Sequence, residues 1–451
     1  MSGPLPEVDL IMKGGAASGL VYAGALPRLA QGFRFRGIAG ASVGAIAAAF
    51  AAAAELARRE GDPHAFARLQ RRTLNLSGQL HSLLDAEPPL RPLLAALIAL
   101  APGSGRPAWG RALLAVWPSL VAGALAGFAL LAGLTAAVGA TSLHDWGLAA
   151  PGLLLAILLG ALGGPLAHLA WAVLIFGPGH GFGLCRGCAL TQWVHEGLQE
   201  IAFGPGADHA PLTFGDLRRA GLRLRMPTTN LTQSRPHLLP DFDLPLTFEP
   251  AAWARLMPAA IMDALPLAAP DGRARLPAPD DLPVAVAVRM SAACPGLIQA
   301  VPVLLVQGAG LTRHHLSDGG LTANFPLGAF DDLIPPRPIL ALDLASLDGP
   351  ADAWRVGPLR PALDPEAPGP PEIAGLRAFV WSVLGAMREG PVRAALRARP
   401  EGVFQARLAR DEGGMNLHIT DEAARRLMAY GEALASVVLD PSADDAKTSS
   451  T

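Results

Sequence analysis

Between Arg111 and Asp145 the chain runs 33 residues without a charged side chain, and from Trp146 to Cys185 it does so again. Each run exceeds the roughly 20 apolar residues that cross a bilayer as a helix. The competing arrangement, two helices buried in a soluble core, calls for shorter and more interrupted apolar segments. Hydrophobic residues make up 51% of the chain and charged residues 16%, apolar for a soluble enzyme of this length, and the excess is concentrated here. A transmembrane helical hairpin over about 112–143 and 146–176 is therefore expected, with Pro118 and Pro151 near the helix starts and Pro165 kinking the second helix. Arg91, Arg106 and Arg111 precede the pair, Arg186 follows it, and the connector carries Asp145 alone, which places both ends in the cytoplasm. Gly123 and Gly127, and Gly160 and Gly164, have the small-residue spacing that permits close helix contact. His168 is expected to pack or to hydrogen-bond between helices rather than to act chemically.

The segment GIAGASVGAI (37–46) raises a chemical possibility. A short strand, a Gly40-Ala-Ser42-Val-Gly44 turn and an alanine-rich helix form a strand–turn–helix elbow, which would expose the serine at the top of a sheet and at the positive end of a helix dipole. The spacing alone also fits a Gly-rich turn packed only for closeness. A second such unit lies upstream, where the apolar strand Val8–Met12 leads through Gly14, Gly15, Ala16, Ala17, Ser18 and Gly19 into another helix. Converging N–H groups in that turn suit an oxyanion. A dinucleotide loop is disfavoured because the Gly-x-Gly-x-x-Gly register is absent, and a phosphate loop because its Gly-Lys-Ser/Thr ending is absent. Further on, Asp318 precedes Gly319 and Gly320 after the apolar strand VPVLLVQGAG, where it reads either as a base or as an ordinary turn residue.

With these three blocks in order, the chain resembles the patatin-like phospholipase family. The family's oxyanion loop corresponds to Gly14–Gly19, its nucleophile elbow to Gly40–Gly44, and its Asp-Gly-Gly turn to Asp318–Gly320. VRMSAACPGLIQAVP is similar to the segment the family carries before its Asp, matched at Arg289, Ser291 and Pro295, and TTNLTQSRP resembles its central strand and following turn. The resemblance covers residues 8–60 and 211–345. It implies an α/β fold, a three-layer sandwich with a mainly parallel central sheet interrupted by the hairpin, and a Ser42–Asp318 dyad without histidine. Gly14, Gly15 and Ala16 are then the oxyanion donors. Ala16 stands where the family has its third Gly, and Ser18 where it has Arg or Lys; Lys13 is no evident substitute.

The implied function is membrane-associated lipid acyl hydrolysis of the phospholipase A type through an acyl-enzyme on Ser42, with a membrane lipid as substrate and no cofactor or metal. A lone carboxylate is a weak base for a serine hydroxyl, a mismatch that an apolar pocket would reduce. Two alternatives remain: a catalytically impaired, membrane-anchored lipid-binding or scaffold protein, and an α/β-hydrolase triad of Ser42, Asp343 and His418. His314 and His315 cannot both face one site, since neighbouring strand residues point oppositely.

MSGPLPEVDL lacks a basic n-region and an apolar stretch, so the catalytic halves are expected on the cytoplasmic side of an inner or cytoplasmic membrane. The expected layout is a first catalytic part over 1–85, an inserted apolar region over 86–205, and a second catalytic part over 206–345. A Pro-rich loop (346–371), a C-terminal helical region (372–440) with Thr420 as an N-cap, and a polar tail (441–451) follow. Cys185 and Cys188 have no matching second pair and Cys294 is remote, so Cys185 and Cys188 read as small residues packing near the membrane interface. A net charge of −2 with no basic stretch interleaved with aromatics argues against nucleic acid as a partner.

Overall fold

The computed structural model describes residues 4–15, 17–75, 79–100, 109–139, 142–171, 174, 181–242, 244–307, 310–330, 336–347, 355–359, 389–409, 412 and 420–440. Strand β1 (Glu7–Met12) is followed by helix α1 (Leu20–Gly32), which returns the chain to β2 (Arg34–Gly40). That crossover makes β1 and β2 parallel, in a register that pairs Met12 with Gly40. Helix α2 (Val43–Arg59), rich in the strong helix former alanine, follows at once. The parallel set is completed by β4 (Arg223–Asn230) beside β2, and by β11 (Ile339–Ser346) and β13 (Val403–Leu408) beyond β1.

Past β4 the sheet changes sense. β5 (Arg235–Leu239) and β10 (Gly310–Asp318) lie antiparallel to β4, and β9 (Val301–Gln307), β6 (Leu246–Phe248) and β7 (Ala274–Arg275) continue antiparallel outward. At the opposite end β12 (Val356–Pro358) is antiparallel to β13. The order is β12-β13-β11-β1-β2-β4-β10-β9-β6-β7, with β5 attached to β4. The expectation of a mainly parallel sheet is corrected: the sheet is mixed. Connection length is the reason, because four residues join β4 to β5 and two join β9 to β10, too few for a parallel crossover.

Side chains alternate across the strands, and both faces are covered. Leu10, Met12, Ile38, Leu340 and Leu342 pack into the larger core with α1 and α2, while Ile11, Ala39 and Ala341 pack with Phe325, Phe330 and Val392 on the other side. Two C-terminal strands depart from expectation. β12 lies in the stretch read as a Pro-rich loop, and β13 in the stretch read as helical; both extend the central sheet. The final helix, Asp421–Leu439, forms as expected, with Thr420 Oγ1 accepting from the Ala423 N–H at 3.2 Å. The tail 441–451 and residues 360–388 lie outside the described residues.

The apolar runs form two antiparallel helices, α4 (Trp109–Ala137) and α5 (Leu143–Trp171), packed along each other and, through α4, on α3 (Arg91–Leu100). Each contains a 28-residue apolar span whose most apolar 18 residues have a mean hydropathy of 2.0, and no part of that window is buried inside the protein. That excludes the buried-core arrangement for this pair. The helices touch backbone to backbone: a Cβ on Gly123 would collide with the Gly160 carbonyl, one on Gly160 with the Gly123 carbonyl, and one on Gly164 with the Ser119 carbonyl. Ser119 Oγ and His168 Nδ1 are 2.7 Å apart across the same seam, and His168 Nε2 lies 2.7 Å from the Pro89 carbonyl.

The insert is closed at its base. The Asp85 carboxylate accepts from the N–H groups of Gly187 (2.6 Å) and Cys188 (3.0 Å), tying its two ends together, and β3 (Gly183–Cys185) pairs with β8 (Gly296–Ile298). Helix α6 (Cys188–Phe203) belongs to the larger core, where Trp193, Val194, Leu198 and Ile201 are buried against α2. The insert therefore ends near Gly187 rather than at residue 205, because α6 has an apolar face matched to the core.

Candidate active site

Since Met12 and Gly40 are register partners, positions 14 and 42 each lie two residues beyond the same edge of the parallel sheet. Ser42 turns the chain from β2 into α2 at φ 54°, ψ −125°, a conformation disfavoured for any L-residue with a side chain. Holding it there costs about 1–3 kcal/mol, supplied by the surrounding packing. The two flanking glycines permit that packing. A Cβ on Gly40 would collide with the Gly44 carbonyl, and one on Gly44 would press at 2.7 Å on the carbonyls of Met12 and Lys13. The Ser42 carbonyl starts the helix by accepting from Ala45 N–H at 2.9 Å.

Asp318 reaches Ser42 from the opposite direction. The β2–β4 register pairs Ala39 with Arg225, so Thr228, three residues on, is level with Ser42; Thr228 is also the partner of Asp318 in the antiparallel β4–β10 pair. The Ser42 hydroxyl donates to Asp318 Oδ2 at 2.7 Å, while the Gly320 N–H donates to Asp318 Oδ1 at 2.6 Å. Asp318 is 6% exposed. Its backbone is fixed by Asp318 N–H to the Ala293 carbonyl (3.0 Å) and by the Thr229 hydroxyl to the Asp318 carbonyl (2.8 Å). Ser291 joins both halves: its Oγ accepts from the Ser42 N–H at 3.3 Å and its carbonyl from the Gly319 N–H at 3.0 Å. A Cβ on Gly319 would collide with the Pro227 carbonyl.

The loop after β1 is anchored at its start. Lys13 N–H donates to the Leu342 carbonyl (3.2 Å), and the buried Tyr22 hydroxyl donates to the Lys13 carbonyl (2.6 Å). The Lys13 ammonium lies 3.0 Å from both Asp343 and Glu389. Burial alone would lower its pKa, but these two carboxylates more than offset that and hold it above its ordinary value. Lys13 is thus committed to an ion-pair cluster, and Ser18, where the family has a cation, is a buried serine. The expectation for Gly14 is corrected. Its N–H donates to the Asn324 carbonyl at 2.8 Å and is not available to an oxyanion. The N–H of Gly15 has no hydrogen-bond partner among the described residues, and Ala16 lies outside them.

The remaining candidates sit elsewhere. Arg289 is buried and donates to the carbonyls of Arg186 and Gln299, both at 2.6 Å, bracing the base of the insert. Burial lowers its pKa to about 10, against a smaller upward pull from Asp85. Pro295 is exposed at the turn into β8. Asp343, the alternative acid, is engaged by Lys13 and by Gln405 Nε2 at 2.7 Å; His418 lies outside the described residues. His314 is buried beside Asn230, and His315 packs on Phe182; neither is bonded to the Ser42–Asp318 pair. Sequence reasoning missed Asn324, six residues after Asp318, which reads in sequence as another turn residue.

Residues 10–103 match the model of the patatin-like phospholipase family, a span that holds the end of β1, the Gly14–Gly15 turn and the Ser42 elbow. This part of the chain is patatin-like. The family match supports lipid hydrolysis as the general chemistry. Asp318 lies beyond the matched span of the patatin-like segment and joins it only through the fold. The chain is also similar to the protein named RpoH suppressor of Rhizobium meliloti (strain 1021), 28% identical over an alignment of 537 residues that takes in 96% of this chain and 83% of that protein. That name states no enzymatic activity.

Proposed function

We propose that this protein is a membrane-associated serine lipid acyl hydrolase of the phospholipase A type, working through a Ser42–Asp318 dyad. The observation that carries this reading is the 2.7 Å hydrogen bond from the Ser42 hydroxyl, on a strained elbow, to a nearly buried carboxylate. As Ser42 Oγ forms its bond to the ester carbonyl carbon, its proton passes to Asp318 Oδ2. The tetrahedral intermediate collapses, the alkoxide leaves with that proton, and the acyl group stays on Ser42. Water then gives a proton to Asp318 and adds to the acyl carbonyl; the fatty acid leaves and Ser42 regains its hydrogen. The Gly320 N–H on Oδ1 keeps Oδ2 turned toward the serine.

The hairpin supports a membrane as the place of action. Two 28-residue apolar spans with outward-facing leucines support insertion in a bilayer, and the flanking Arg91, Arg111 and Arg186 support a cytoplasmic catalytic domain. Two observations favour a second reading, a lipid-binding protein without turnover: the Gly14 N–H is already bonded and position 18 carries no charge. Labelling of the detergent-solubilised protein with a fluorophosphonate separates the two. The hydrolase reading requires labelling that Ser42→Ala abolishes and Asp318→Asn slows by about 10²–10⁴-fold; a folded wild type that does not label is the binding protein.

A further inference from the structure

Acyl transfer needs donors aimed at the developing oxyanion. Near Ser42 the Gly14 N–H is bonded to the Asn324 carbonyl and the Ser42 N–H to Ser291 Oγ, which leaves the Gly15 N–H of the same turn as a backbone donor in need of a companion. One side chain in the same place has the opposite character. Asn324 is 1% exposed, and neither its Oδ1 nor its Nδ2 has a hydrogen-bond partner among the described residues. A buried carboxamide with nothing bonded to it is costly, which makes it a ready partner for a bound ligand.

Its surroundings identify the ligand. A Cβ on Gly14 would collide with the carboxamide and would lie 3.2 Å from Ser42 Cβ. A Cβ on Gly320 would lie 2.7 Å from the carboxamide and 2.8 Å from Asp318 Oδ1. The carboxamide thus occupies the space between the Gly14 turn, the nucleophile and the base, in the part of the site that a bound ester carbonyl must share. With neither atom bonded, a half-turn about the Cβ–Cγ bond sacrifices no hydrogen bond, so the NH2 group can face Ser42. We propose that the Asn324 side chain is a catalytic residue that donates from Nδ2 to the substrate oxyanion, taking the part that the Gly14 N–H cannot. Its backbone carbonyl meanwhile holds Gly14 in place, so one residue fixes the loop and supplies the donor.

This inference rests on the proposed hydrolase reading, and the test keeps the two apart. The full chain in detergent micelles is compared with Asn324→Ala, Asn324→Asp and Asn324→Leu for Ser42 labelling rate, kcat and KM on a p-nitrophenyl ester, and Tm. All three variants keep the backbone carbonyl. Wild type is expected to label and turn over, and all three variants to lose about 10²–10³-fold in kcat with little change in KM, while Asn324→Leu shows no loss of Tm. Activity within about threefold of wild type in Asn324→Ala overturns the inference and leaves the hydrolase reading intact. So does recovery of activity in Asn324→Leu, which fills the same volume without a donor. Absence of labelling and turnover in wild type overturns both.

Discussion

Ser42→Gly and Ser42→Ala both remove the nucleophile and its bond to Asp318, yet the backbone at residue 42 makes them unequal. At φ 54°, ψ −125° alanine keeps the steric conflict between Cβ and the main chain, whereas glycine relieves it. Relief is worth about 1–3 kcal/mol. Glycine returns about 0.5–1 kcal/mol of this through the greater entropy of its unfolded chain. Because the lost hydroxyl cancels between the variants, Ser42→Gly is expected to be the more stable by about 1 kcal/mol. Spread over the unfolding entropy of a 451-residue chain, that is a Tm difference of about 1 °C. Differential scanning fluorimetry of the two proteins in the same detergent reads it, and neither should label with fluorophosphonate. Equal stability, or a more stable alanine variant, would refute the claim that the elbow stores strain.

Gly160→Leu should force α4 and α5 apart against the Gly123 carbonyl and cost about 1–3 kcal/mol, seen as a lowered Tm. Gly133→Leu, where an added Cβ meets open space, should not. Burial lowers the pKa of His195, His314 and His315, with Arg313 and His314 adding to the effect at His315. Unfolded histidines near 6.5 bind protons more readily, so the penalty is absent above that pH and grows as pH falls through the folded values. Tm should therefore fall between pH 7.5 and 5.5, and a flat profile would count against these environments. Burial, with Asp85 nearby, pushes the Cys185 thiol up to about 12, so it should resist a thiol-reactive disulfide at pH 8 in the folded protein and react after unfolding.

The parts of the site legible in the sequence are those where one residue type answers one geometric demand. Gly40 and Gly44 bracket Ser42 because no Cβ fits at either place, and the Asp318 turn needs Gly319 for the same reason. The hairpin was legible because long charge-free runs have few other uses. What escaped depended on neighbours remote in the chain. Whether the Gly14 N–H points at a substrate or at Asn324 is decided by a segment 310 residues away. That His314 and His315 lie on a strand was legible, but the antiparallel sense of β10 depends on its pairing with β4 and β9. β13 is only six residues long and gains its stability from pairing with β11 and β12 rather than from propensity.

The distance along the chain between nucleophile and base has a consequence in time. Ser42 and Asp318 are 276 positions apart, and α4 and α5 lie between them. At about 5–20 residues per second, a ribosome adds Asp318 roughly 15–55 s after Ser42. Throughout that interval the nascent polypeptide holds a serine with no base, beside a sheet that still lacks β10 and β11. The apolar hairpin emerges first. On the proposed reading, a growing chain is thus committed to the bilayer before it can cleave anything on the way there.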